Sequence, residues 1–429
     1  MSDLLAARFQ MALSLAFHIV FAEVGIAMPV LMVLAEWRWR RTNDDVYLQL
    51  AKRWAKGSAI LFAVGAVSGT VLSFELGLLW PKFMQFAGPI IGLPFSAEGF
   101  AFFTEAIFLG VYLYGWDRIS QRAHLAAGLI VAASGAASAV FVVTVNAWMN
   151  TPTGILMSGG TVAQIDPIAG MLNPSTLQQA LHMLLASYAA TGVAVAGIHA
   201  AVILRRPSRR FHRHAVSLAL AVGAPAAILQ PLSGDLSART VARWQPVKLA
   251  ALEGQFTSQK GAPLRIGGWP DANAGVTRFA VEIPRGLSLL AFHDPAAEVK
   301  GLDAFDRDLW PPLPPVHLGF QVMVALGSIM MLVSVWTAVA ALRGHVTDSR
   351  WLLRTLVVIT PFGFIATEAG WTVTEVGRQP WVVQGILRTR DAVTPMPGLI
   401  VPMIVFGLLY IGLGLIVVAL IRGMVRETA

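Results

Sequence analysis

Glu368–Trp381 reads EAGWTVTEVGRQPW. The residues before it, from Leu352 on, are largely apolar and long enough for a helix, so the stretch is a helix end. It carries two carboxylates, Glu368 and Glu375, seven residues apart and near one face. An Arg-Gln-Pro-Trp turn follows at once. A carboxylate on an apolar helix is costly in a bilayer and is kept for a partner such as an ion, a proton path or a metal.

Composition puts that helix in a membrane. The 429 residues are 56% hydrophobic and 13% charged, where a soluble domain carries about 25% charged residues. Nine apolar runs are each long enough to cross a bilayer: 9–36, 57–80, 95–115, 124–149, 178–204, 214–231, 316–342, 352–375 and 397–421. The expected class is an all-α integral membrane protein. The first residues, MSDLLAARFQ, lack the pattern of a cleaved signal, so the first helix is expected to be retained. The connections at 37–56, 117–124, 205–214 and 343–354 and the tail at 421–429 hold 18 of the 32 Lys and Arg. The positive-inside rule then sets the N-terminus outside and the C-terminus in the cytoplasm, as suits a bacterial inner membrane. The net charge of +8 is thus a topology signal, and no nucleic-acid partner is expected. Zero Cys excludes disulfides, zinc-thiolate sites, iron–sulfur clusters and c-type haem attachment.

The polar residues left in the apolar runs define a chemistry. His18, His182, Met323 and Glu375 form a haem ligand set of His, Met and carboxylate. Counted at 1.5 Å per residue, all lie in the outer half of the membrane. His182 with Met323 would saturate one iron, which gives low spin and electron transfer. His18 and Glu375 would each leave one side of an iron open. Taken singly, a membrane Met packs and a membrane His or Asn bridges helices, so the set carries the argument and no single residue does. Glu98 and Glu105, on one stripe of the third helix, step inward as a proton relay. Ser138 and Asn146 on the fourth helix offer hydroxyl and amide partners, and Asp117 stands at the inner end. His199 reads as interfacial, and His124, His212, His214 and His345 as solvated. A long connection, 232–315, is rich in Pro and Gly, and connections of that length are usually functional. In it Lys248 and Glu253 bracket LAALE and would hold a polar head group from one side.

Four stretches carry a resemblance. They are FHIVFAEVG around His18, SAEGFAFFTEAIFLGVYLYGWDR around Glu98 and Glu105, QPVKLAALEG in the long connection, and EAGWTVTEVGRQPW. In this order the chain resembles subunit I of the cytochrome bd-type quinol oxidases over essentially its whole length. The resemblance implies a respiratory terminal oxidase. It would oxidise quinol at the outer face and reduce O2 to water with cytoplasmic protons, building a proton gradient without pumping. It implies a low-spin haem b ligated by His182 and Met323. It further implies a high-spin haem b and a haem d, or a third haem b, with His18 and Glu375 as axial ligands. Trp371 would sit between the haems, and Arg378 would neutralise propionates. Glu98 would lie beside the oxygen-binding haem, and Glu105 with Ser138 would pass protons inward. Lys248 and Glu253 would contact quinol, making 232–315 the quinol loop between helices 1–6 (1–231) and 7–9 (316–429). A second membrane subunit, a small single-helix subunit and membrane lipid are the implied partners.

Two features depart from the family pattern. Gln321 stands where the family often has Arg, two residues before Met323. The quinol loop is short, as in the cyanide-insensitive branch that lacks haem d. A proton-coupled secondary transporter is the rival reading. It predicts inverted repeats and broken helices at mid-membrane, and no repeat is visible.

Overall fold

The computed structural model describes residues 1–158, 161–207 and 210–428. Positions 208 and 209 of the basic connection at 205–214 lie outside the described residues. Among the described residues nine helical segments are long and apolar enough to cross a membrane, as the apolar runs predict. The first four are α1 (Asp3–Thr42), α2 (Asp45–Leu79), α3 (Pro81–Tyr114) and α4 (Gln121–Asn150). A hairpin of β1 (Ile155–Ser158) and β2 (Thr161–Ile165) and the short α5 (Pro167–Met171) lead to α6 (Thr176–Arg205) and α7 (Arg210–Trp244). Next come α8 (Pro246–Glu253) and the remainder of the long connection. It holds β3 (Gln259–Lys260), β4 (Leu264–Ile266), β5 (Trp269–Asp271), β6 (Val276–Arg278), β7 (Val281–Ile283), α9 (Gly286–Phe292) and β8 (Glu298–Val299). Three antiparallel pairs, β3–β8, β4–β7 and β5–β6, build it. Then follow α10 (Leu313–Leu342), α11 (Arg350–Val358) and α12 (Phe362–Val376). The chain ends with the β9 (Trp381–Val383) and β10 (Leu387–Arg388) pair, α13 (Thr389–Ala392) and α14 (Ile400–Thr428).

Local signals explain most boundaries. Ser2, Asp44, Ser120 and Ser349 each accept a backbone N–H two or three residues on, which satisfies donors that the first helical turn leaves free. Three boundaries differ from the sequence reading by ten residues or more, and the second span begins at Asp45 rather than 57, taking in much of the 37–56 connection. The third span begins at Pro81 rather than 95 and runs through Pro89 and Pro94. The sixth ends at Trp244 rather than 231 and runs through Pro225 and Pro231. The expected spans stop at 95 and 231, beside Pro94 and Pro231, but a membrane helix tolerates proline because its neighbours satisfy the freed backbone groups. Residues 232–244 therefore belong to a helix and not to the loop. The eighth span is two helices, broken between Val358 and Phe362. Pro361 supplies the reason, since it disfavours helix for the residue before it.

Small residues let the backbones meet. A Cβ on Gly192 of α6 would lie 2.6 Å from Cα of Gly223 on α7, and one on Gly363 of α12 would lie 2.4 Å from Cα of Ala190. Close approach of this kind drives helix association where the surrounding lipid is as apolar as the helices. The resulting core joins α6, α7, α10 and α11. A second core joins α1, α2, α3 and α4 near the connections rich in Arg and Lys. A third holds the opposite ends of α1–α4 against residues 382–399. The short basic connections lie at one face of the bundle, hereafter the basic face. The long connection and the β9–α13 segment lie at the other, the loop face.

Gly192→Leu would force a branched side chain into the α7 backbone and destabilise the bundle by about 1–3 kcal/mol. We expect a lower thermal midpoint of the detergent-purified protein. Gly412→Ala, where nothing lies within 4 Å, leaves the midpoint unchanged. An unchanged midpoint for Gly192→Leu would contradict the close crossing.

Candidate functional site

Both candidate haem histidines are held the same way. His18 on α1 places Nδ1 3.0 Å from the Ser68 hydroxyl on α2. Ser68 itself donates to the carbonyls of Val64 and Gly65. A hydroxyl has one proton to give, so Ser68 accepts from His18 Nδ1–H, and Nε2 keeps its lone pair. His182 on α6 repeats this with Ser233 of α7, at 2.9 Å, while Ser233 donates to the Gln230 carbonyl. The Gln230 amide then donates to His182 Nε2 at 3.2 Å. An outer hydrogen bond that fixes the tautomer is what a metal-ligating His requires.

Met323 on α10 packs over α12 where a glycine makes room. A Cβ on Gly370 would lie 3.0 Å from its sulfur. Gly69 makes the same allowance for the His18 ring, also at 3.0 Å. Trp371 follows Gly370, and Glu375 stands one turn further on. Arg378 is 2% exposed. It pairs with Glu375 Oε2 and donates to Asn146 Oδ1 at 3.0 Å. Its Nε is buried with no hydrogen-bond partner among the described residues. A spare buried guanidinium donor fits an anion such as a haem propionate. The His18 Nε2, the thioether and this donor fit haem, and His182 Nε2 would join them once the Gln230 amide that now donates to it turned aside.

A chain of hydrogen bonds continues from there. Asn150 donates to the Asn146 side chain at 3.2 Å. Lys248 donates to Asn150 Oδ1 at 3.1 Å and to the Thr374 carbonyl at 3.3 Å. Lys248 and Glu253 are 5% and 4% exposed, so neither is a solvated surface charge. The two do not act from one side. The Lys248 amine turns to α4 and α12, whereas the charged neighbour of Glu253 is Arg265 in β4. Burial, reinforced by Arg378 and opposed by Glu375, lowers the Lys248 ammonium to about 7. Burial, opposed by Arg265, raises the Glu253 carboxyl to about 8.

The candidate relay is rearranged. Ser138 donates to Glu98 at 3.2 Å, not to Glu105. Glu105 is buried and packs against Gly135 of α4, where an added Cβ would lie 3.2 Å from its carboxylate. Because α3 starts at Pro81, Glu98 lies about halfway along the helix rather than near its start.

Sequence reasoning passed over other buried acids. Glu75 accepts from Gln10 and Ser14, each at 2.9 Å. Glu23 is wholly buried with neither oxygen hydrogen-bonded among the described residues. A lone acid inside an apolar run was the available signal. Two histidines expected to be solvated are buried. His124 is held by Glu36 and by the Tyr112 carbonyl, both at 2.9 Å. His212 lies 2.8 Å from His199. Partners from distant segments cover them, which their position beside a connection did not reveal.

Known proteins match this arrangement along the whole chain. A family model described as cytochrome bd terminal oxidase subunit I matches residues 6–429. A Bacillus subtilis (strain 168) protein assigned provisionally as a cytochrome bd menaquinol oxidase subunit I is 39% identical over 97% of this chain and 95% of its own. A second B. subtilis protein, cytochrome bd ubiquinol oxidase subunit 1, is 30% identical over 100% of this chain and 95% of its own. The solved bd oxidase from Geobacillus thermodenitrificans superimposes with a TM-score of 0.93 at 39% identity, over 100% of this chain and 99% of that one. The chain belongs to the cytochrome bd terminal oxidase subunit I family.

Proposed function

We propose that this chain oxidises quinol at its loop face, beside Lys248 and Glu253, and supports O2 reduction with protons drawn from its basic face. Family membership already gives the coarser statement. The chain is a multi-pass bacterial inner-membrane protein and subunit I of a terminal quinol oxidase with haem cofactors. The observation that carries the finer reading is the hydrogen-bonded path from Lys248 through Asn150 and Asn146 to Arg378 and Glu375. It joins a candidate quinol residue to a candidate iron ligand without a gap.

His182 and Met323 would hold a low-spin haem b. His18 and Glu375 would serve two high-spin haems, a haem b and a haem d or third haem b. When bound, the haems supply electron transfer from quinol and the reduction of O2. Ser68 and Ser233 would hold the Nδ1 sides of the two imidazoles, leaving Nε2 as the iron-binding atom once Gln230 turns away from His182. Arg378, steadied by Asn146, would offer charge to propionates, and Trp371 would sit between the haems. Lys248 and Glu253 would bind the quinol hydroxyls from different directions. The positive-inside rule sets the loop face outward, so quinol protons leave on the outer side. Glu105, and then Glu98 with Ser138, would take protons inward from the basic face. Charge separation then follows from opposite entry of electrons and protons, without a pump. A second membrane subunit and a small single-helix subunit complete the proposed assembly. The 245–312 connection serves as the quinol domain between α1–α7 and α10–α14.

Glu105→Ala should slow quinol-driven O2 uptake by roughly 10²-fold, the weight of a lost proton-transfer group, with haem content near wild type. Unchanged turnover and charge separation in proteoliposomes would remove Glu105 from the path.

Glu253 predicts a pH dependence. An unfolded carboxyl ionises near 4.5, whereas the folded one holds its proton up to about 8. The native loop binds the extra proton across that window, so its stability falls as pH rises from 4.5 towards 8. We expect protease resistance of the 245–312 connection to fall over this range, and Glu253→Gln to flatten the fall. An equal slope in the variant would contradict the assignment.

A further inference from the structure

Gln321 stands on α10, two residues before Met323. Its side chain does not turn towards the ligand set. It reaches out of the helix end and pairs with the backbone of the long connection. The Gln321 amide donates to the Arg265 carbonyl at 3.0 Å, and its oxygen accepts from Gly267 N–H at 2.9 Å. The amide thus behaves as a one-residue strand edge against the end of β4. One turn nearer the helix start, His317 is wholly buried. Its ring nitrogens face the Leu252 carbonyl at 2.7 Å and the Gly267 carbonyl at 3.1 Å. The backbone at Gly267 and Gly268 is left-handed, with φ of +68° and +98°, so glycine is required for the turn that presents these groups.

The chemistry of the position is specific. Two backbone groups of opposite kind must be met, a carbonyl and an N–H. A carboxamide offers both a donor and an acceptor at that reach without depending on a proton. Arg has donors alone, and ionised Glu has acceptors alone. The seat matters because of what it fixes. Leu252 adjoins Glu253. Arg265 bonds Gln255 and Glu282 and is the charged neighbour of Glu253.

We propose that Gln321 is a positioning residue for quinol oxidation. It clamps β4 to the helix that bears Met323, and so sets Arg265 and Glu253 for the quinol. The proposal rests on the quinol-loop reading given above. An Arg here, with donors alone, would lose the Gly267 contact and release the loop.

The test uses the purified oxidase complex, a short-chain quinol and four variants: Gln321→Ala, Gln321→Arg, Gln321→Glu and Glu253→Gln. Three quantities are read: KM and kcat for quinol, amide hydrogen exchange over 264–268, and the reduced-minus-oxidised spectrum of the low-spin haem. Gln321→Ala and Gln321→Arg should raise KM on the order of five- to tenfold, the weight of a net hydrogen bond. Both should speed exchange at 264–268 and leave the haem spectrum and kcat near wild type. Gln321→Glu, which keeps the bond to Gly267, should fall between them and wild type. Wild-type KM and exchange in Gln321→Ala, while Glu253→Gln raises KM, would overturn the proposal and spare the quinol-loop reading. A spectral change with no change in exchange would overturn it in favour of a haem-contact role. No KM change in Glu253→Gln would instead sink the quinol-loop reading, and the proposal with it.

Discussion

A guanidinium that is 2% exposed cannot stand alone. Removing the partner of a buried charge costs about 3–5 kcal/mol, so the end of α12 has to form where Arg378 meets Glu375 and Asn146 together. That requirement ties α12 to α4, and through Asn150 and Lys248 it ties both to α8. The geometry of the loop face follows from it. The stretch Glu368–Trp381 is therefore a structural joint before it is the proposed set of ligands. Its two jobs are compatible because Arg378 retains a buried donor, Nε, beyond those it spends on protein.

A second constraint works at a distance from that joint. Each candidate haem histidine has one nitrogen spoken for by a serine on a neighbouring helix, and each serine has its proton committed to its own helix backbone. A tautomer is set without any charged group. In a low-dielectric interior this is economical, since a hydroxyl costs far less to bury than a carboxylate. The close glycine crossings of α6 with α7 and α12 hold α6, and with it His182, in place.

Much of the bundle was legible because its signal is local. Apolar run length finds the nine spans, and a His, Met or Glu inside such a run is conspicuous. What stayed hidden depends on contacts between distant segments. Ser68 and Ser233 are ordinary membrane-helix residues until the ring opposite is known. The expected spans stop at 95 and 231, and only packing shows that α3 and α7 run on through Pro89, Pro94 and Pro231. His124 reads as solvated beside a connection, yet Glu36 of α1 helps to bury it, and Lys248, a head-group candidate from one side of its loop, turns instead to Asn150 of α4. Gln321 was read as a lost cation, whereas the structure uses both ends of its amide.

The most direct test of the account is a dithionite-reduced minus air-oxidised spectrum, with carbon monoxide, of the purified complex and its His182→Ala variant. We predict b-type signals in the parent, with a carbon monoxide-reactive high-spin fraction; a long-wavelength chlorin band would mark haem d. The variant should lose the low-spin b component and keep the carbon monoxide-reactive one. A well-folded variant with the low-spin signal intact, or a well-folded parent with no haem, would contradict it.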